Sequence, residues 1–482
     1  MRTFCVGLIA ICILNIPVAR AAERPNIVLI IADDLGERDV ACYGGDLVET
    51  PQIDRLAKDG ARFRQAYAPA PVCTPTRAAL MTGQAPARLQ ITIWSEGSKR
   101  ESKTERLLQA KSRHDLPLEA VTVAERLQQA GYLTAAVGKW HLGDADHAPE
   151  TQGFDINIGG THWGAPATFF WPYRGMSKAG GEFRYVPHLE FGKRGEYLTD
   201  RLTQEAIRIL KQAPRTQPFF LYLAHYAPHT PMQAKSADVE HFQKKITPAT
   251  RHRNATYAAM VKSVDDSVGA VRQTLQELGL DKNTIVIFTS DNGGYLGIDR
   301  YNPEHVPVTD NWPHRSGKGS LYEGGLRIPL IVSWPGVTTP GSEPAEPVIL
   351  TDLFPTLLAA AGLNPDSQTP ADGVSLVPVL KEAPTKIARE DLYFHYPHYY
   401  PTTQPVSAIR SGDWKLLQYL ERGDVELYNL RTDPSETANL AEAEPKRTAE
   451  LLSKLEDWRK EMQAAMPARN PDYRAAPDLS AK

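Results

Sequence analysis

Cysteine is scarce, with four in 482 residues, and two of these, Cys5 and Cys12, fall in the apolar N-terminal stretch. A chain of this size with so few cysteines is not a disulfide scaffold. Long apolar runs are missing as well. Nothing beyond the N-terminus supplies the roughly 20 consecutive apolar residues that a membrane helix needs, so no span is expected. Charge of one sign is lacking too: the net charge is −3, which offers nucleic acid no global attraction. There is no internal repeat of solenoid period and no Cys/His cluster of zinc type. What remains is ordinary globular composition, 42% hydrophobic and 23% charged, enough for one large domain or a large domain plus a small one.

The N-terminus is the first informative segment. Arg2 precedes an apolar run from Phe4 to Leu14, followed by Pro17 and the small-residue stretch around Ala19, Ala21 and Ala22. Residues 1–22 therefore read as a cleaved signal peptide, which places the mature protein in the periplasm or outside the cell. Cys12 is not read as a lipid attachment point, because Ile11 stands where a small residue belongs. After cleavage only Cys42 and Cys73 remain, either as one bridge or with Cys73 kept as a thiol for chemistry.

Short continuous apolar runs at Asn26 to Ala32, Leu133 to Val137, Phe219 to Ala224, Thr284 to Thr289 and Ile328 to Val332 read as buried parallel strands. Helical patterns at Thr122 to Ala130, Leu198 to Lys211 and Ala255 to Leu278 lie between them. The alternation predicts an α/β fold, a large mainly parallel mixed sheet flanked by helices, over residues 23–387. Residues 388–482 read as a smaller α+β subdomain. Its antiparallel sheet is expected from Asp391 to Phe394, Val406 to Ile409, Trp414 to Gln418 and Val425 to Tyr428, with a helix from Pro445 to Ala465. A Pro- and Ala-rich tail follows, hugging the surface or disordered. Functional side chains in such folds collect beyond the carboxyl ends of the strands. Asp33-Asp34, Lys139, His225 and Asp291 each follow a predicted strand.

The segment Cys73-Thr74-Pro75-Thr76-Arg77, running on to Thr82-Gly83, carries the most chemistry. Pro75 suits a first helical turn, so Cys73 would stand at a helix N-terminus, where the dipole and free amides favour an anion. Arg77 lies one turn on, facing the same side. Adjacent carboxylates at Asp33-Asp34 are costly to leave unpaired and suit a hard cation, or else form an Asx turn. Further along stand Gly138-Lys139-Trp140-His141-Leu142-Gly143, His229 in Ala227-Pro228-His229-Thr230-Pro231, Asp291-Asn292 before Gly293-Gly294, and Gly317-Lys318-Gly319-Ser320.

In this set and in its order the chain resembles the type I sulfatases of the alkaline phosphatase superfamily, over most of its mature length. The resemblance implies that a formylglycine-generating enzyme oxidises Cys73 to formylglycine; Thr76 stands where the family carries Ser or Ala. It further implies a metal, Ca²⁺ before Mg²⁺, held by Asp33, Asp34, Cys73, Asp291 and Asn292. Sulfate ester hydrolysis would follow from Cys73, Arg77, Lys139, His141, His229 and Lys318. The modified residue, as a hydrated aldehyde, attacks sulfur; His229 protonates the leaving oxygen; His141 takes a proton from the second hydroxyl. Export and the aromatic stretch Trp163 to Tyr173 favour a sulfated carbohydrate as substrate, met by an exo-acting enzyme. Trp163, Trp312, His314, Arg315 and His398 are candidates for the sugar site, and His395 to Tyr400 for its cover. Alternatively these aromatics pack the two subdomains together. Two other readings share the framework: a phosphonate monoester or phosphodiester hydrolase, and a non-catalytic binder of sulfated glycans.

Overall fold

Seven strands form the central sheet of the computed structural model, which describes residues 24–99, 103–177, 181–299, 305–364, 370–381 and 386–474. The expected signal peptide, residues 1–22, lies outside the described residues. The strands are β1 (Asn26–Ala32), β2 (Ala61–Arg62), β3 (Leu133–Gly138), β4 (Ile156–Ile158), β5 (Phe219–Ala224), β6 (Thr284–Ser290) and β7 (Leu330–Ser333). They lie in the order β2-β7-β6-β1-β5-β3-β4. The five from β6 to β4 run parallel, while β7 and β2 pair antiparallel at the far edge.

Every residue of β1 is buried, which is why its sequence shows no alternation. Its side chains nevertheless sort by parity. Val28, Ile30 and Ala32 face a layer built by α1 (Pro51–Asp59), α4 (Leu198–Gln212) and α5 (Ala255–Glu277). Ile27, Leu29 and Ile31 face α2 (Cys73–Thr82), α3 (Val123–Gln129) and α6 (Leu353–Ala360). The result is a three-layer sandwich with a core on each side of the sheet.

One expected parallel strand is corrected. Ile328 to Val332 is broken at Pro329: Arg327–Ile328 joins a small second sheet beside Ala66–Tyr67, and β7 pairs antiparallel with β6. Proline has no N–H for the ladder, so the chain changes sheets there.

A four-stranded antiparallel sheet begins at Asp391: β8 (Asp391–Tyr396), β9 (Val406–Ser411), β10 (Trp414–Tyr419) and β11 (Val425–Asn429). One face, with Phe394, Tyr396, Ala408 and Leu417, packs on the main body through Tyr67, Leu321 and Leu326. The other face, with Ile409, Leu416 and Leu427, carries α7 (Pro445–Glu461) through Leu451 and Leu455. The described part of the tail pairs Ala468–Arg469 with Leu107–Leu108.

Between sheet and body sits a buried ion cluster. Lys415 on β10 reaches Glu323 and Glu436, each at 2.8 Å, and Arg327 also reaches Glu323 at 3.3 Å. Removing the lysine would leave two carboxylates buried against each other, at a cost of about 3–5 kcal/mol. Lys415→Met is therefore expected to lower the denaturant-unfolding free energy by about that much. A loss within experimental error would mean that the cluster does not hold the subdomain in place.

Candidate active site

Strand register places the site. Ala32 of β1 pairs with Ser290 of β6, so the residues that follow, Asp33 and Asp291, emerge side by side. Ile31 and Gly138 both pair with Ala224 of β5, bringing Lys139 to the same edge. This is the carboxyl end of the parallel sheet.

Cys73 arrives on α2, which is buried throughout and begins after the extended Val72. Its first-turn amides have no acceptors within the helix. Thr74 Oγ1 donates to the His141 carbonyl at 3.1 Å, and Thr76 Oγ1 donates to the Ala70 carbonyl at 3.0 Å. The Thr76 hydroxyl is thus spent on the backbone. Cys73 Sγ lies 3.6 Å from Asp33 Oδ1, 3.9 Å from Asp34 Oδ1 and 3.5 Å from Lys318 Nζ. Cys42 and Cys73 are both free, so no bridge joins them. Burial pushes the Cys73 thiol above its ordinary range.

Each of the three central carboxylates has its own cation. Lys139 Nζ meets Asp33 at 2.7 Å, Lys318 Nζ meets Asp34 at 2.7 Å, and Arg77 meets Asp291 through Nε at 2.9 Å and Nη2 at 2.8 Å. Arg77 also donates to the Lys139 carbonyl and the Tyr222 hydroxyl, both at 3.1 Å, which locks its plane. Burial raises the Asp33 carboxyl to about 8 against the pull of Lys139, with Asp291 and Asp34 adding to the rise. For Asp34 burial acts the same way, but Lys318, His229 and Lys139 outweigh it and hold this carboxyl below its usual range.

The donor set fits a hard divalent cation. Asp33, Asp34, Asp291 and Asn292 are all oxygen donors within this buried cluster. Asn292 Nδ2 donates to Asp34 at 2.8 Å, while its Oδ1 is buried without a partner. Among the described residues the one group of side chains with metal-ligating spacing is Asp33, Asp34, Cys73 and His229, whose ligand atoms lie within 4.8 Å of one another. Asp34 (φ 62°) and His141 (φ 60°) both hold left-handed backbone, a strain found at functional sites.

The two histidines differ in their anchoring. His229 Nδ1 contacts the Thr230 carbonyl at 2.8 Å, which makes it the protonated nitrogen and leaves Nε2 3.5 Å from Asp34. Burial lowers its pKa to about 3, although Asp34 pulls the other way. His141 is driven well down by burial and then by Lys139 and Arg77, and neither of its ring nitrogens has a hydrogen-bond partner. His225, though it follows β5 directly, turns aside to Ser267 at 2.9 Å.

These groups floor a cavity of about 520 Å³, lined at its base by Asp34, Cys73, His141, His229 and Lys318. Arg77 and Lys139 stand behind them, buried. The walls come from Trp94, Glu96, Glu182, Arg184, Tyr295 and Tyr400 among others. Tyr400, delivered by the C-terminal subdomain, packs on Gly319, where an added Cβ would sit 2.0 Å from the ring.

Four expected sugar-site residues are corrected, because their side chains are engaged elsewhere and do not line the cavity. Trp312 is exposed and covers Arg251 at 4.8 Å; His314 binds Glu37 at 2.7 Å; Arg315 donates to Tyr428 and the Glu436 carbonyl. His398 is buried against Thr92 and Gln109. Trp163 sits behind the wall, with the Arg184 guanidinium 5.2 Å from its ring centre. Of the expected cover, Tyr400 is the residue that reaches the cavity. Sequence reasoning missed Tyr222, Glu96, Glu182 and Arg184; no motif or periodicity marks them.

The profile of the sulfatase family matches residues 25–363, and that of the N-sulphoglucosamine sulphohydrolase C-terminal region matches 316–465. Human N-acetylgalactosamine-6-sulfatase is 34% identical over 75% of this chain and 66% of its own length. Human arylsulfatase A is 34% identical over 90% of this chain and 87% of its own. The crystal structure of Ps i-CgsB in complex with k-i-k-neocarrahexaose superposes with a TM-score of 0.74 at 32% identity, covering 95% of this chain and 96% of that one. The chain belongs to the sulfatase family, in the alkaline phosphatase superfamily, and is a sulfuric ester hydrolase. Among the described residues no helix is long and apolar enough to cross a membrane.

Gly164 backs directly onto His141: an added Cβ would lie 2.5 Å from the imidazole. Gly164→Ala should displace that ring and lower kcat by about 10²-fold, with the unfolding midpoint nearly unchanged. Wild-type kcat in a folded Gly164→Ala enzyme would mean that the placement of the His141 ring does not limit turnover.

Proposed function

We propose that the chain is an exported, exo-acting carbohydrate O-sulfatase in which residue 73 works as formylglycine beside a calcium ion. The observation that carries this reading is the placement of Cys73. Its Sγ stands at a buried helix N-terminus within 3.6 Å of Asp33, 3.9 Å of Asp34 and 3.5 Å of Lys318. A formylglycine-generating enzyme is the partner that this cysteine requires during maturation.

Asp33, Asp34, Asp291, Asn292 and the modified residue 73 would hold Ca²⁺. Bound there, the ion supplies Lewis acidity at residue 73 and positive charge for the sulfate oxygens. As a hydrated aldehyde, residue 73 supplies one hydroxyl to attack sulfur and a second whose deprotonation releases sulfate.

The chain's other residues prepare that chemistry. Lys318, in the cavity floor, and Lys139 behind it add fixed positive charge where negative charge must be accommodated. Arg77 fixes Asp291 and the Lys139 carbonyl in one plane, so the carboxylates cannot drift. His141 remains neutral, with both nitrogens free of hydrogen bonds and so open to accept a proton, while burial and the neighbouring cations weaken it as a base. His229 must donate one from Nε2. Its environment favours the neutral ring, so in the acid role it would have to gain its proton in the substrate complex.

The carbohydrate assignment is supported by a pocket-shaped cavity with aromatic walls at Trp94, Tyr295 and Tyr400. Similarity to a relative named for an N-acetylgalactosamine sulfate, and to a structure solved with a neocarrahexaose, points the same way. A Cys73→Ser enzyme, which has a single hydroxyl, is expected to release one equivalent of alcohol and then stall as a sulfated serine ester. Steady turnover by that variant contradicts the formylglycine scheme. On a panel of sulfated sugars and aryl sulfates, the wild-type enzyme should release sulfate from at least one monosulfated sugar. Activity confined to aryl sulfates overturns the carbohydrate reading.

A further inference from the structure

The cations and carboxylates of the cavity are unevenly distributed. At the base, Lys318, with Lys139 and Arg77 behind it, provides for the sulfate. Higher up, Arg184 is the one cation among the described lining residues, and it is already engaged. It lies on the hairpin of Arg174–Met176 and Phe183–Tyr185. Its Nη2 meets Glu182 at 3.0 Å and Glu96 at 3.7 Å, its Nη1 reaches the Ala165 carbonyl at 3.4 Å, and its plane lies over Trp163. The Arg184 side chain is 12% exposed, whereas Glu96 and Glu182 remain 34% and 39% exposed. Two carboxylates thus share one guanidinium and present their spare oxygens. Buried beside them, Arg184 Nε and Trp163 Nε1 lack hydrogen-bond partners.

We infer that this wall selects a leaving sugar carrying no negative charge besides the sulfate ester being cleaved. The inference rests on the carbohydrate reading and narrows it. Carboxylate oxygens accept hydrogen bonds from sugar hydroxyls. Trp94 and Tyr400, in edge contact at 5.9 Å, offer apolar faces to a neutral ring. A second sulfate or a uronate would face Glu96 and Glu182 with no uncommitted cation among the described lining residues of this wall to answer it. That is discrimination by repulsion.

The test uses the full-length, mature enzyme. kcat/KM is measured on the fastest monosulfated monosaccharide of a panel and on the same sugar bearing a second sulfate, at low and high salt. The wild type should prefer the monosulfated sugar by about tenfold or more at low salt, with the preference shrinking as salt screens the wall. Glu96→Gln with Glu182→Gln should shrink it too, mainly through KM for the disulfated sugar. Equal use of both sugars, preference for the disulfated one, or a ratio that neither salt nor the double variant moves overturns the inference while leaving the carbohydrate reading standing. Sulfate release from aryl sulfates alone removes both.

Discussion

Three buried ion pairs, Asp33 with Lys139, Asp34 with Lys318 and Asp291 with Arg77, are the constraint around which the molecule is arranged. Removing one partner from such a pair leaves an uncompensated charge in a dry interior, at several kcal/mol. The pairs therefore need rigid supports. Two carboxylates come from adjacent strands in register, at Ala32 and Ser290, and the guanidinium comes from a helix buried throughout. At the centre three acids thus stand against three bases before anything enters. A divalent cation and a sulfate ester arriving together would add opposite charges to it.

The pair of Asp34 with Lys318 depends on the C-terminal subdomain. Lys318 lies in a loop whose carbonyl accepts from Thr402 Oγ1 at 2.8 Å, and Tyr400 packs on the next residue, Gly319. Five residues further on, Glu323 is held by Lys415 from the small sheet. The subdomain thus contributes a wall residue and the stability of a loop bearing a lysine of the cavity floor. That accounts for a buried ion cluster at a contact surface where apolar packing alone would have sufficed for adhesion.

Much of this architecture was legible in the residues. Asn26–Ala32 and Phe219–Ala224 are strands with the bounds their apolar runs suggest, because both faces of the sheet are covered and burial leaves no ambiguity of period. Cys73, Asp33, Asp34, Lys139, His141, His229, Asp291, Asn292 and Lys318 could be picked out as candidates because each sits in a short motif that resembles one of the sulfatase family, several of them directly after a strand or at a helix start. Ile328 to Val332 misled, since composition marks burial and Pro329 alone carries the change of sheet. The cavity wall was not legible for a different reason. Its side chains come from separate segments around 94–96, 182–184, 295 and 400, two of them on a hairpin with three-residue strands. Segments that short have no periodicity to read. Conversely, Trp312, His314 and Arg315 looked like binding residues because of their types, whereas tertiary contacts with Arg251, Glu37 and Tyr428 commit them elsewhere.

The account turns on the chemical identity of residue 73. The most direct measurement is peptide mass spectrometry across Cys73 on protein purified from its native host, with one sample treated with a hydrazide and another with a thiol alkylator. The peptide is expected to form the hydrazone and resist alkylation, in proportion to the activity of the preparation. A fully alkylatable Cys73 in protein that turns over sulfate esters would contradict the formylglycine reading.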